Sequence, residues 1–477
     1  MSTPNLPGSS VETLSAMLAG DVFVPDDEGY DDARRAWNLA VDQRPAVVVF
    51  AESVVDVVRA VRFARSHDLR IAPQGTGHGA LPLGQLEGAM LLKTSRMRRV
   101  HISPALRSAT AEAGAEWEDV VAPAGEHGLA ALAGTSPNVG VTGYTLGGGM
   151  GWLARRYGLA ANSVTAVELV TPDGRHLRAD ADDEPDLFWA VRGGGGSVGV
   201  VTALEMELYP VAELYAGALF FPIERSSEVL RAWREWTDTV PDDVTSMGRL
   251  LRLPALPEVP EPLRGGAFAS VEAAYLGDAA AGARLVRPLR ELGPELDTFA
   301  TISAPALARL NIDPEQPIPS VGDGAFLTDF PAAAVDTLMA LAGPAADTPL
   351  QSIDIRHLGG ALARHADRGG AQPKIDANYL IFAKGVTPTP QQRDAVRTHV
   401  RALKNSIVTW HAGYDYYNFV ETPAEAEVVL PRVSFERLQR VKAAHDPDET
   451  IISAHPVRPH PPHPAGETRA RIGSDQR

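Results

Sequence analysis

In the N-terminal half of the chain, short apolar runs alternate with stretches whose apolar residues recur every three to four positions, so strands and helices are expected in turn. Residues 46–50 are a β-branched run and predict a strand. Ser53 then precedes Val54, Val57, Val58, Val61 and Ala64, one apolar stripe at helical spacing behind an N-capping hydroxyl. Residues 69–72 predict a second strand, which breaks at Gly75-Thr-Gly-His-Gly79. Further strands are expected at 89–92, 108–113 and 199–208, and a helix at 117–128 closing on glycine. Residues 164–177 read as a hairpin turned by Pro172-Asp173-Gly174. Residues 1–43 are acidic and read as partly helical. Beyond Pro210 the glycine-rich punctuation thins. There the pattern predicts strands at 270–275, 352–357 and 377–382 and helices at 279–292, 393–404 and 435–445. This is an α+β arrangement, a sheet with helices on one face.

A chain of 477 residues is too long for one ordinary core, so two domains are expected. A net charge of −16 disfavours nucleic acid and anionic membranes as partners. No apolar run approaches the ~18 residues of a membrane span. The absence of cysteine excludes disulfides, thiolate metal sites and a thiol nucleophile. The first basic side chain is Arg34, which leaves no charged start for a signal peptide and makes a cytoplasmic location the expectation. Residues 456–477, rich in proline, histidine and charge, read as a disordered tail. His455, His460 and His463 are taken as solvated, and no metal site is expected.

Three glycine clusters, 75–79, 147–151 and 193–196, stand at strand ends. Glycine is required where the backbone approaches a ligand closely or takes positive φ. Three such loops point to one long ligand whose phosphates are held by backbone N–H groups. No Gly-Lys-Ser/Thr occurs, so a P-loop is excluded. Gly194, Gly196 and Gly199 fit GxGxxG, but a strand rather than a helix follows, which argues against a Rossmann site.

Five ordered segments carry a family resemblance. They are Pro73-Gln-Gly-Thr-Gly-His-Gly79, Leu92-Lys-Thr-Ser-Arg-Met97, the glycine-rich Gly134–Gly151, Asp186–Gly196, and the closing Tyr416-Tyr-Asn418 with Asp446-Pro447. In order and spacing, from about residue 20 to 455, the chain resembles the vanillyl-alcohol oxidase-type flavoproteins with a PCMH-type FAD-binding fold, in their berberine bridge enzyme-like branch. The resemblance implies an FAD domain of two α/β subdomains at 1–209 and an α+β substrate domain with an antiparallel sheet backed by helices at 210–410. A segment at 411–455 would return to the FAD domain.

It also implies the site. Gln74, Gly75, Thr76, Gly77, His78 and Gly79 would wrap the FAD pyrophosphate. Thr135, Ser136, Val139, Gly140 and Gly143 would run beside the flavin, with Val200 near the adenine end and Asn418 at the ring's polar atoms. In relatives the histidine in the place of His78 is bonded to the flavin 8α-methyl. Many also carry a cysteine where this chain has Ser136, so a single bond through His78 is expected. Relatives often have arginine in the place of Gln74.

Tyr414–Asn418 reads as a strand with Tyr414, Tyr416 and Asn418 on one face. The resemblance makes Tyr416 the expected base, with Tyr144 lining the pocket and Arg356 as a cation able to favour the phenolate; without it, an aromatic core strand is the ordinary reading. Asp354 and Arg356 share a strand face, where a structural ion pair is the ordinary reading. The expected reaction is hydride transfer from a small organic substrate (an alcohol, a sugar or a secondary metabolite) to FAD and then to O₂. The alternatives are an oxidative cyclase or desaturase on the same fold, or a flavin-binding protein without turnover.

Overall fold

The computed structural model describes residues 6–459, and its strands form three sheets. The first runs in the order Val22–Phe23, Val47–Phe50, Ala89–Lys93, Arg70–Gln74, and its last three strands are parallel. Parallel neighbours need a crossover, supplied here by the helix Val54–Ser66. Ser53 Oγ accepts from the Asp56 N–H at 3.3 Å, and Val57, Ala60, Val61 and Ala64 bury the helix face turned to the core. The second sheet is antiparallel, in the order Val100–Ser103, Ser108–Glu112, Val200–Glu207, Val164–Val170, His176–Asp180. The expected 172–174 turn joins its last two strands. The helix expected at 117–128 ends earlier, at Gly125. Gly128 takes φ +66° and brings the Leu129 N–H back to the Ala124 carbonyl.

The third sheet is antiparallel and has eight strands. Its main path is Leu296–Asp297, Glu213–Pro222, Ala267–Tyr275, Val244–Arg252, Ser352–His357, Tyr379–Val386, Ser320–Leu327, and Ala300–Ser303 also pairs with Glu213–Pro222. The helices Ser226–Thr237, Ala279–Arg290, Ala332–Ala342 and Pro390–Ser406 share a hydrophobic core with this sheet, through residues such as Trp233, Val286, Leu338 and Val400. Glu213–Pro222, Val244–Arg252 and Ser320–Leu327 escaped the sequence reading for a physical reason. They are buried on both faces, so their residues show no clean alternation of apolar and polar.

The C-terminal helix Arg432–His445 leads the chain back to the first sheet. Asp446 accepts from the Thr450 and Ile451 N–H groups at 2.8 and 2.9 Å, and from Lys442 Nζ at 2.5 Å. Lys442 also reaches the Ser197 carbonyl at 2.7 Å. Ile71 and Ile452 then pair through their backbones.

Two expectations are corrected here. The tail does not begin at 456, because Val457 is buried in the core of the second sheet. His455 is not solvated: it is 1% exposed, and its ring nitrogens lie 3.1 and 3.2 Å from the Tyr417 and Ala424 carbonyls. His460 and His463 lie outside the described residues.

Candidate active site

The three sheets converge on a cavity of about 390 Å³. The loop after Arg70–Gln74 forms one wall. Gly77 there has φ +88°, and a Cβ would fall 2.8 Å from the Ala36 Cβ, so no other residue fits without displacement. This turn sets His78 flat against Trp37, with ring centroids 4.0 Å apart and planes at 16°. His78 Nδ1 meets Thr76 Oγ1 at 2.8 Å. Burial holds its imidazole down to about 3 despite the Asp313 charge, so the ring is neutral at physiological pH.

A second wall comes from the 134–146 segment, in which Val141–Leu146 is a short helix. Thr135, Ser136, Val139, Gly140, Gly143 and Tyr144 all line the cavity. At Gly79 and Gly143 an added Cβ would meet no protein atom within 4 Å. Several buried polar atoms along these walls have no protein partner: both amide atoms of Gln74, His78 Nε2, Asn138 Oδ1, Thr142 Oγ1 and the Tyr144 hydroxyl. Buried polar groups are normally hydrogen-bonded. Such a set along one cleft therefore fits a large polar ligand, and a flavin nucleotide supplies the carbonyls, ring nitrogens and phosphates these groups can meet. Gln74, Gly75, Thr76, Gly77, His78 and Gly79 all line the cavity. Val200 is not. Its side chain is fully buried in the core beneath the first sheet, and its neighbours Gly199 and Val201 face the cavity instead.

The Tyr414–Asn418 segment is not a strand. Tyr416 is extended, and the chain then tightens into a 3₁₀ turn at Tyr417–Phe419. That bend gives each aromatic a separate task. The Tyr417 ring packs against Gly195 (φ +82°), where any Cβ would overlap the phenol. Tyr416 turns into the cavity with Asn418 beside it. Asn418 Nδ2 donates to the Tyr416 hydroxyl at 3.3 Å and to the Tyr144 carbonyl at 2.9 Å. Burial pushes this phenol well up, while Asn418 and the Arg356 charge pull the other way. Burial raises the Tyr144 phenol as well, and Tyr416 adds to that effect while Arg356 opposes it.

The third wall is the large sheet. Ile353 and Ile355 face its helices, whereas Asp354 and Arg356 face the cavity, as do Phe382 and Lys384 on the adjoining strand. The expected pairing of Asp354 with Arg356 is corrected: Asp354 Oδ1 takes Arg249 Nε at 2.8 Å. Arg249 is 2% exposed and also holds Glu272 and the Asn311 carbonyl. Arg356 lies over the Phe419 ring, 4.9 Å from its centroid.

Three charged residues on the lining were not singled out from sequence. Asp313 accepts from Ser136 Oγ at 3.1 Å and from Lys384 Nζ at 3.0 Å. Glu421 accepts from the Gly322 N–H at 2.6 Å, and its carboxyl is pushed up to about 7 by burial. Lys384 had a legible signal, since it follows Phe382 by two in a strand. Asp313 sits in an irregular loop and had none.

These features define an α+β protein whose three sheets border one cleft suited to a nucleotide. Comparison with known proteins agrees. A family model described as an FAD binding domain matches residues 45–180. The chain is 31% identical over 314 residues to the FAD-linked oxidoreductase YvdP of Bacillus subtilis, covering 65% of this chain and 67% of that protein. It is 37% identical over 192 residues to (R)-6-hydroxynicotine oxidase of Paenarthrobacter nicotinovorans, covering 40% of this chain and 42% of that protein. Its matches span about half the length of the first curated relatives. Among solved structures, 6-hydroxy-D-nicotine oxidase of Arthrobacter nicotinovorans superposes with a TM-score of 0.78 at 26% identity over 91% of this chain and 96% of that one. The berberine bridge enzyme-like 1 protein of Physcomitrella patens does so with a TM-score of 0.81 at 19% identity over 94% and 100%. The chain belongs to the FAD-linked oxidoreductases.

Proposed function

We propose that the protein is an oxidase of small organic molecules, with FAD held along the Gly75–Gly79 and Thr135–Gly143 walls and tethered through His78 alone. The observation that carries this reading is the placement of Tyr416. Its hydroxyl oxygen accepts from Asn418 Nδ2, and that donor together with the Arg356 charge opposes the rise that burial imposes, which favours the phenolate that accepts a proton. When bound, FAD supplies a two-electron acceptor that takes hydride from a substrate C–H and returns the electrons to O₂ as peroxide. Tyr416 removes the proton from the substrate O–H or N–H as that hydride leaves. Asn418 orients the phenol and stabilises the charge that grows on it. Thr76 holds one nitrogen of the neutral His78 ring, leaving Nε2 for the flavin. A hydroxyl at position 136, engaged with Asp313, is too weak a nucleophile for a second tether.

Anaerobic addition of candidate alcohols, amines and sugars to the yellow holoprotein tests the reading. The flavin bands should bleach with a true substrate and return with peroxide when air is admitted. A purified protein without bound flavin would contradict it.

A further inference from the structure

Four arginines among the described residues are less than a tenth exposed: Arg155, Arg192, Arg249 and Arg356. Three are held by oxygen acceptors. Arg155 reaches the Val244 and Leu358 carbonyls, Arg192 those of Phe188 and Arg368, and Arg249 its two carboxylates. Arg356 is different. Its Nε is buried without a partner, and no carboxylate lies within salt-bridge range of its guanidinium. Asp354, two residues before it on the same strand, is committed to Arg249 and Ser352. Asp313 is committed to Lys384 and Ser136. What Arg356 does touch is the face of Phe419, and it lines the cavity together with Tyr144 and Tyr416.

A buried guanidinium with no carboxylate in direct contact is costly unless a ligand pairs with it. Its planar fork suits two oxygens of one acidic group.

We infer that Arg356 is the anchor for an anionic oxygen group, so that the substrates are small organic acids or acidic phenols whose carboxylate or phenolate docks on Arg356 while the carbon to be oxidised faces the flavin. The inference rests on the flavoprotein reading above. It leaves the proton acceptor intact, because Tyr416 keeps the Asn418 amide when Arg356 is paired.

Benzoate, with neutral benzamide as its isostere, tests this by titration of the holoprotein, each binding read from perturbation of the flavin spectrum. Flavin content, measured first, separates the two claims: a protein without flavin fails the earlier reading. With flavin present, benzoate should bind at least tenfold more tightly than benzamide. Arg356→Gln should weaken benzoate at least tenfold and leave benzamide within twofold, with flavin content unchanged. Arg356→Lys, which keeps the charge but not the fork, should recover part of the benzoate affinity. Equal binding of the two probes to the wild type, no benzoate binding, or equal loss of both probes in Arg356→Gln would overturn the inference.

Discussion

Asn418 and Tyr416, two residues apart, are joined by a 3.3 Å hydrogen bond from amide nitrogen to phenol oxygen, and the same nitrogen holds the Tyr144 carbonyl. One side chain thus ties the C-terminal segment to the glycine-rich wall and fixes where the phenol stands.

If Tyr416 accepts the substrate proton, Tyr416→Phe should slow flavin reduction ~10²–10⁴-fold, the usual size of a general-base contribution. Flavin content and spectrum should stay as in the wild type, since phenylalanine keeps the ring that packs on Phe326 and Phe419. Rapid mixing with a bleaching substrate reads this directly. An unchanged rate would move the role to Tyr144.

Asn418→Ala should act through the same phenol. The proton-accepting form is present above the phenol's pKa, and loss of a donor raises that pKa. The rising limb of the reduction rate should therefore move to higher pH. A hydrogen bond to a charged group contributes about 1.5–3 kcal/mol, so the move should be roughly one to two pH units. A limb that stays in place would show that Asn418 does not hold the phenolate.

Arg249 predicts a stability effect with no direct part in the chemistry. It is 2% exposed and neutralises two buried carboxylates, Glu272 and Asp354. Arg249→Met leaves both charges unpaired and should cost about 3–5 kcal/mol. Denaturant unfolding of the wild type and variant measures it. A loss below ~1 kcal/mol would mean that the network is solvated.

Glu421 gives a pH-dependent prediction. Its folded pKa is raised from 4.5 to about 7, mainly by burial and further by Asp323, while Gly322 and Lys384 oppose the rise. The neutral form is favoured on folding, so its stability contribution is full below pH ~4.5 and fades as pH climbs to about 7. Glu421→Gln should thus be neutral near pH 4 and stabilising above pH 7, by up to ~3 kcal/mol. Unfolding curves at the two pH values check the sign. Stabilisation confined to acid pH would contradict it.

Much of this was legible in the chain because local rules agreed with tertiary packing. The strand ending at Gln74 and the helix capped by Ser53 lie where periodicity places them. The glycines at 75–79 mark the ligand loop because backbone demands are local. The face of the large sheet that bears Asp354 and Arg356 also followed from alternation, yet their partners did not. Arg249 comes from a strand buried on both sides, which hid both the strand and the charge. Tyr414–Asn418 was read as extended from its aromatic content. The 3₁₀ turn at Tyr417 reflects packing against Gly195, more than two hundred positions away in the chain. Val200 failed similarly, since a one-residue difference along a strand exchanges core for cavity.

The central claim is that FAD occupies this cavity with its ring system held at His78. Acid precipitation of the purified protein, followed by measurement of flavin in pellet and supernatant, tests it most directly. The account predicts that wild-type flavin stays with the polypeptide, on the peptide containing His78, and that His78→Ala releases it in full. Flavin that extracts completely from the wild type, or that remains bound in His78→Ala, would contradict it.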